Sequence, residues 1–251
     1  MIDYTYNFSG KTILVTGASS GIGKQISMDC AKAGATVIML GRDEERLNQT
    51  LSQLEGDGHQ VITGDLKDEK FIESACKALP PLDGVVQSAG MMKLVPLKFI
   101  NAAFIDEMLA INLRAPILLV TTLQKLKKIK PASSVVLLSS INGAVIGSPA
   151  NSVYGATKGG LQSFCKSASL ELAKTSIRIN CIAPAMVETE GTAVIGEHVS
   201  AEAIEADKKN YPLGRYGTPA DIAGCCLFLL SGAGSWITGT TITIDGGFTA
   251  Q

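Results

Sequence analysis

The chain has 251 residues, 46% hydrophobic and 18% charged, with 26 glycines and 9 prolines. At roughly 100–200 residues per domain, with some α/β domains reaching about 250, this excludes disorder and favours one large domain with a sizeable core. Lys and Arg total 22 against 23 Asp and Glu, a net charge of −1 that excludes bulk attraction to nucleic acid or an anionic membrane.

The predicted elements alternate between strand and helix. A β-branched run at 12–16 (TILVT) predicts a strand, followed by a glycine-rich turn and a helix over 22–33 that Gly34 ends. A strand at 36–40 and a polar, periodic helix at 42–54 follow. The next pairs are a strand at 60–63 with a helix at 68–78, and a strand at 84–87 with a long helical region at 101–130, broken near Pro116. A strand at 134–139, a helix at 152–174, a strand at 177–182, a helix at 219–230 and a last strand at 241–244 complete the chain. Short, continuous apolar strands suit a parallel sheet buried on both faces. Their regular alternation with helices predicts a doubly wound α/β fold, mostly or wholly parallel, of about seven strands. The least regular stretch, 185–212, is expected to be a substrate lid within that domain. The lysine run Lys125, Lys127, Lys128 and Lys130 reads as a solvated last turn of a helix.

The chain carries only two histidines, His59 and His198, which excludes a histidine-rich centre; no metal site is expected. Cys30, Cys76, Cys165, Cys181, Cys225 and Cys226 form no C-x-x-C pair and lie in apolar stretches. They read as reduced core thiols of a cytoplasmic protein. The first ten residues lack the apolar core of a signal peptide, and no run of about 18 apolar residues is present.

The first turn reads Gly17-Ala18-Ser19-Ser20-Gly21-Ile22-Gly23. Gly17 suits a sharp exit from the strand, Gly21 a close approach by phosphates, and Gly23 tight helix–strand packing. The helix N-terminus behind them offers free N–H groups and a positive dipole end to a pyrophosphate. Glycines also serve many such turns for conformation alone; the strand–turn–helix setting favours dinucleotide binding. At the tip of the second strand, Leu40-Gly41-Arg42, no carboxylate is available for ribose hydroxyls. Arg42 instead suits a 2′-phosphate, so NADP is favoured over NAD; an ordinary surface arginine is the other reading.

Tyr154 and Lys158 stand four apart in a predicted helix, on one face and one turn apart. A free tyrosine, with a pKa near about 10, is a poor acid–base catalyst at neutral pH, and a neighbouring ammonium lowers that value. Fourteen residues before Tyr154, Ser140 follows the carboxyl end of a predicted strand, where ligands of open α/β sheets bind. Its hydroxyl suits a substrate oxygen that gains charge, or a simple turn.

Together the glycine turn, Ser140, Tyr154-x-x-x-Lys158 and the closing Asp245-Gly246-Gly247 resemble the short-chain dehydrogenase/reductase family over nearly the whole chain. The resemblance implies a Rossmann fold and a catalytic set of Asn112, Ser140, Tyr154 and Lys158. In it Tyr154 is the acid/base, Ser140 polarises the carbonyl, Lys158 holds the nicotinamide ribose and lowers the tyrosine pKa, and Asn112 supports a water-mediated proton relay. It further implies cofactor contacts from Ser19, Ser20, Ile22, Asp65, Leu66, Ala89, Gly90, Pro184, Val187 and Thr189. Two departures stand out: Gln87-Ser88 replaces an asparagine pair, and Pro184-Ala185 replaces Pro-Gly, where a Cβ conflicts with any positive φ.

The tail Pro212-Leu213-Gly214-Arg215 and the closing motif resemble the 3-oxoacyl-[acyl-carrier-protein] reductase-like branch. That implies a β-keto thioester substrate on acyl carrier protein, with Lys130 and Lys174 as partial stand-ins for docking arginines. Sugars, polyols and other secondary alcohols are the alternative substrates, and a non-catalytic nucleotide-binding scaffold is the alternative of another class. Met91, Met92, Val145, Ile146, Met186, Val194 and Ile195 are candidate pocket residues. The family also implies a homotetramer, expected here to pack through Phe164, Cys165, Ala168 and Leu172.

Overall fold

The computed structural model describes residues 6–192 and 200–251. Seven strands form one sheet in the order β3-β2-β1-β4-β5-β6-β7. They are β1 (Thr12–Thr16), β2 (Thr36–Gly41), β3 (Gln60–Thr63), β4 (Leu82–Gln87), β5 (Ile129–Leu138), β6 (Arg178–Pro184) and β7 (Thr241–Ile244). Every pairing is parallel. Strand order reverses between β1 and β4, the switch point at which such sheets open a crevice beyond their carboxyl ends.

The described residues form the helices α1 (Gly21–Lys32), α2 (Glu44–Leu51), α3 (Glu69–Ala78), α4 (Ala102–Leu109), α5 (Ala115–Lys125), α6 (Ser152–Leu172), α7 (Ala201–Lys208) and α8 (Pro219–Leu230). Side chains cap several of them where the chain leaves a loop. Asp43 accepts the Arg46 N–H at α2, Asp68 that of Lys70 at α3, and Asn101 that of Phe104 at α4. Thr218 and Asp221 form a reciprocal capping box at α8. One core joins α3, α5 and α6 to a sheet face through Leu14, Leu82, Leu119, Val135 and Leu161. The other joins α1 and α8 to the opposite face through Val15, Ile26, Val37, Val136 and Ile222. The alternating apolar runs therefore bury both faces, as their continuity requires.

Three expectations need correction. The helical region after Asn101 ends at Lys125, and residues beyond it turn and enter β5. Lys127 adopts a left-handed φ of 54°. Lys125 is the exposed last residue of α5, as expected, but Lys128 donates to the carbonyls of Lys77 and Leu79 and Lys130 pairs with Asp83 at 2.7 Å, so these two are tied down at the amino end of the sheet. Second, Pro116 does not break the helix. α4 continues into α5 through a widened π-turn over Ala110–Arg114, which absorbs the N–H that Pro116 lacks. Third, Cys165 and Leu172 are buried in the chain's own core and offer no surface to a second copy, whereas Phe164 and Ala168 are half-buried against it. The exposed large apolar residues of α4 and α6 are Ile105, Leu109 and Leu170.

Among the described residues no helix is long and apolar enough to cross a membrane.

Candidate active site

Two adjoining cavities open beyond the carboxyl ends of the strands. The larger, about 1100 Å³, runs along the β1–α1 turn past the tips of β2 and β4. Gly17, Ser19, Ser20, Gly21 and Ile22 line it, with Arg42 at the β2 tip and Leu66, Ala89, Gly90 and Thr189 farther along. The smaller, about 680 Å³, holds Ser140, Tyr154, Lys158, Pro184 and Val187. Ile22, Gly90, Met91, Lys93 and Thr189 border both.

The glycine turn is shaped by close contact. Gly17 has φ 67°, and a Cβ on it would lie 2.8 Å from Ala89 Cα. A Cβ on Gly23 would lie 2.3 Å from the Gly17 carbonyl oxygen, so Gly23 acts by packing and lines neither cavity. Ser20 starts α1 without capping it by its side chain, which leaves first-turn N–H groups facing the larger cavity. An anion cradle of this form fits a dinucleotide pyrophosphate. Arg42 is exposed at the cavity edge beside Arg46 and Lys67. Arg46 is ion-paired to Glu190, which ties α2 to the segment after Thr189. Asp65 lines neither cavity; its carboxylate accepts the Lys67 N–H at 2.9 Å and lies 3.7 Å from the Lys67 ammonium.

The departures at β4 and β6 have local explanations. Gln87 Nε2 donates to the Pro116 carbonyl at 3.0 Å, so a long amide braces β4 against the start of α5. Ala185 has no positive φ, and its N–H continues the β6–β7 ladder to the Ile244 carbonyl at 3.0 Å. Alanine is compatible with that backbone.

Asn112 sits in the π-turn and is 1% exposed. Its carboxamide accepts the Met91 N–H and donates to the Met91 carbonyl, both at 2.8 Å. It lines neither cavity and fixes the Met91 backbone where the two meet. Pro116 has no N–H for the Asn112 carbonyl, and such wide turns recur at functional sites.

Ser140, Tyr154 and Lys158 converge on the smaller cavity. The Lys158 ammonium is buried, donates to the Leu138 carbonyl at 2.7 Å and lies 5.8 Å from the Tyr154 ring centre. Burial drives its pKa down to about 8, only partly offset by the nearby Cys181. Tyr154 departs from the expected direction. Its pKa is raised, because burial of the phenol outweighs the opposing hydrogen-bond contribution of Ser140. The phenol therefore stays protonated and available as an acid.

Several supporting residues had no signature in the sequence. Gln162 Nε2 bridges the Ser139 hydroxyl and the Ser140 carbonyl, both at 2.9 Å. Ser139 Oγ in turn donates to the Lys158 carbonyl at 3.0 Å. Gly143, at φ 130°, has room for no Cβ: one would lie 2.6 Å from the Gly155 oxygen and 2.7 Å from the Gly159 nitrogen. The helical spacing of Gln162, four residues past Lys158, was the one available hint. Met91, Met92, Ile146 and Met186 line the smaller cavity, whereas Val145 is exposed outside it. Val194 and Ile195 lie outside the described residues. Lys130 and Lys174 belong to the start of β5 and the tight turn after α6, at the opposite end of the strands from Ser140.

Comparison with known proteins agrees with this geometry. A short-chain dehydrogenase/reductase model described as enoyl-(acyl carrier protein) reductase matches residues 17–249. The chain belongs to the short-chain dehydrogenase/reductase family. A tropinone reductase homolog of Arabidopsis thaliana is 33% identical over 99% of this chain and 96% of its own. The 3-oxoacyl-[acyl-carrier-protein] reductase of Aquifex aeolicus is 34% identical over 95% of this chain and 97% of its own. Among solved structures, a point variant of actinorhodin polyketide ketoreductase with NADPH superposes with TM-score 0.88 at 27% identity, over 96% of this chain and 98% of its own. A glucose/ribitol dehydrogenase-type member from Brucella melitensis gives 0.88 at 30%, over 97% and 98%. The protein is accordingly an oxidoreductase of this family.

Proposed function

We propose that the protein is a cytoplasmic, single-domain NADP(H)-dependent carbonyl reductase or secondary-alcohol dehydrogenase. The observation that carries this reading is the convergence of Ser140, Tyr154 and Lys158 on a cavity that shares Ile22, Gly90 and Thr189 with the dinucleotide cavity. NADP(H), when bound, supplies or accepts a hydride at the nicotinamide. The α1 N-terminus would hold its pyrophosphate, and Arg42 its 2′-phosphate. In the reducing direction the Ser140 hydroxyl donates a hydrogen bond to the substrate carbonyl oxygen and fixes it beside Tyr154. Tyr154 gives that oxygen its phenolic proton as the carbonyl becomes an alcohol. The Lys158 ammonium stabilises the phenolate left behind. Asn112 holds the Met91 backbone and with it the wall between the cavities. In the oxidising direction Tyr154 takes the proton back.

Substrate carriage by acyl carrier protein gains no support from Lys130 and Lys174, which are remote from the cavity. A free ketone or secondary alcohol is the reading preferred here, with a homotetramer as the expected assembly. A panel of ketones, keto sugars and β-keto thioesters, followed by NADPH absorbance, tests the activity. Tyr154→Phe should lower kcat/KM by about a thousandfold or more while NADPH still binds; near-normal turnover by that variant refutes the mechanism. Arg42→Ala should weaken NADPH by roughly tenfold or more and NADH little, as fluorescence titration would show.

A further inference from the structure

The substrate cavity contains polar atoms that the mechanism does not use. Oδ1 of Asn142 and Oδ1 of Asn151 are buried and have no hydrogen-bond partner among the described residues. Both residues line the cavity of Ser140 and Tyr154. Asn142 is two residues past Ser140, and its N–H donates to the Ser140 hydroxyl at 3.1 Å. Asn151 is three residues before Tyr154, at the N-cap of α6. The two orphan oxygens thus sit on the loop and the helix that carry the reacting groups.

The second carboxamide is withheld from a ready use. Asparagine at an N-cap ordinarily accepts an N–H from the first helical turn. Asn101 does so at α4, but Asn151 makes no such side-chain bond. The preceding residue, Ala150, has φ 63°, a strained conformation for a residue with a Cβ. Ala150 is anchored there by its carbonyl, which accepts the Val95 N–H at 2.9 Å. Strain and a forgone cap at one point, next to a reacting tyrosine, are the marks of a residue kept for a ligand.

We infer that Asn142 and Asn151 are specificity residues that bind hydroxyl groups of the substrate, which is a hydroxylated ketone or the corresponding diol. This rests on the oxidoreductase reading above and narrows its substrate class. A hydroxyl both donates and accepts, so it satisfies a carboxamide in either flipped orientation. A cationic donor is disfavoured by Lys93 and Lys158, which among the described residues line the cavity against one carboxylate, Asp207. Met91, Met92, Ile146 and Met186 then accommodate the carbon skeleton.

The test uses cyclohexanone and its ring-hydroxylated analogues with NADPH, on the wild type and on Asn142→Leu, Asn151→Leu and Asn151→Asp. Leucine matches asparagine closely in size and removes the polar atoms; aspartate keeps acceptor oxygens. The wild type should favour at least one hydroxylated ketone by about a hundredfold in kcat/KM, since a site built around a hydroxyl rejects the analogue that lacks it. Each leucine variant should reduce that ratio by tenfold or more, and Asn151→Asp should keep most of it. Comparing ratios between variants cancels the intrinsic reactivity of each ketone and any partial loss of folded enzyme. A wild-type ratio near one, or leucine variants with the wild-type ratio, overturns the inference while leaving the enzyme reading intact. Failure to reduce any carbonyl in either panel overturns both.

Discussion

The two ends of the sheet treat their polar groups in opposite ways. At the amino ends, Asp83 accepts the Thr12 N–H at 2.9 Å and pairs with Lys130, Lys128 reaches the carbonyls of Lys77 in the last turn of α3 and of Leu79 just after it, and Ser133 Oγ donates to the Leu82 carbonyl at 3.1 Å. At the carboxyl ends the α1 N-terminus has no side-chain cap, a buried ammonium makes its hydrogen bond to one carbonyl, and two carboxamide oxygens have no partner. Leaving buried polar groups unsatisfied is costly. The chain bears that cost where a ligand is expected and avoids it at the end that only holds strands together. Saturated pairing occurs at the carboxyl ends too, as at Asn112 and Gln162, but among the described residues the orphaned carboxamide oxygens are confined to that end.

The strongest way to break this comparison is to fill the carboxyl end. Gly23→Val would put a Cβ where the Gly17 carbonyl oxygen now lies 2.3 Å away, and backbone would have to move. NADPH affinity should drop by about a hundredfold or more, roughly 2.7 kcal/mol, in a fluorescence titration. Unaltered affinity would remove the turn from the cofactor site.

A second test uses Lys158. Burial pushes its pKa down to about 8, while in an unfolded chain a lysine titrates near about 10.4. As pH rises above about 8 the ammonium is lost, and kcat/KM for reduction should fall by about tenfold per unit. Lys158→Arg keeps its charge and should lack that limb, whatever its absolute rate. Stability moves the other way. Between about 8 and 10.4 the unfolded chain binds more protons than the folded one, so this residue makes unfolding harder as pH rises. Burial raises the thiols of Cys30, Cys76, Cys181, Cys225 and Cys226, which pull stability the other way, so the Lys158 contribution is read as the difference in pH slope between wild type and Lys158→Arg; identical slopes would contradict the assignment.

The smallest expected effect belongs to the amino end. Burial tends to raise the Asp83 pKa, but Lys130 and the Thr12 N–H together outweigh it and hold the pKa below the usual value. Its contribution is complete above the unfolded value of about 3.9 and is lost as pH falls through the lower folded one. Asp83→Asn should cost about 1 kcal/mol in urea denaturation at neutral pH and leave kcat/KM within about twofold. A large loss of activity would mean that the two ends are not independent.

The sheet was readable in the sequence because it rests on local patterns. Runs such as TILVT and the breaks at Gly34 and Pro219 placed β1, β3, β7 and α8 at their observed bounds. The Lys127–Lys130 region was misread because a left-handed residue and contacts to Lys77, Leu79 and Asp83 decide its path, and distant partners leave no periodic signal. Within the site, Ser140, Tyr154 and Lys158 were legible because their spacing and neighbours form a motif. Gln162 and Gly143 act through main-chain contacts across the fold, and Asn142 and Asn151 are informative through bonds they do not make. The direction of the Tyr154 shift was missed for a related reason: spacing registers a neighbouring charge but not the depth at which the phenol is buried.

The contact of Gly143 with Gly155 and Gly159 has an evolutionary consequence. The serine loop and the tyrosine–lysine helix meet backbone to backbone, at a point where no side chain intervenes to be exchanged. Hydride chemistry can therefore be inherited intact while the methionines and asparagines around it drift. A lineage built on this chain is free to change the lining of the substrate cavity far more easily than the way its serine loop and tyrosine–lysine helix are held together.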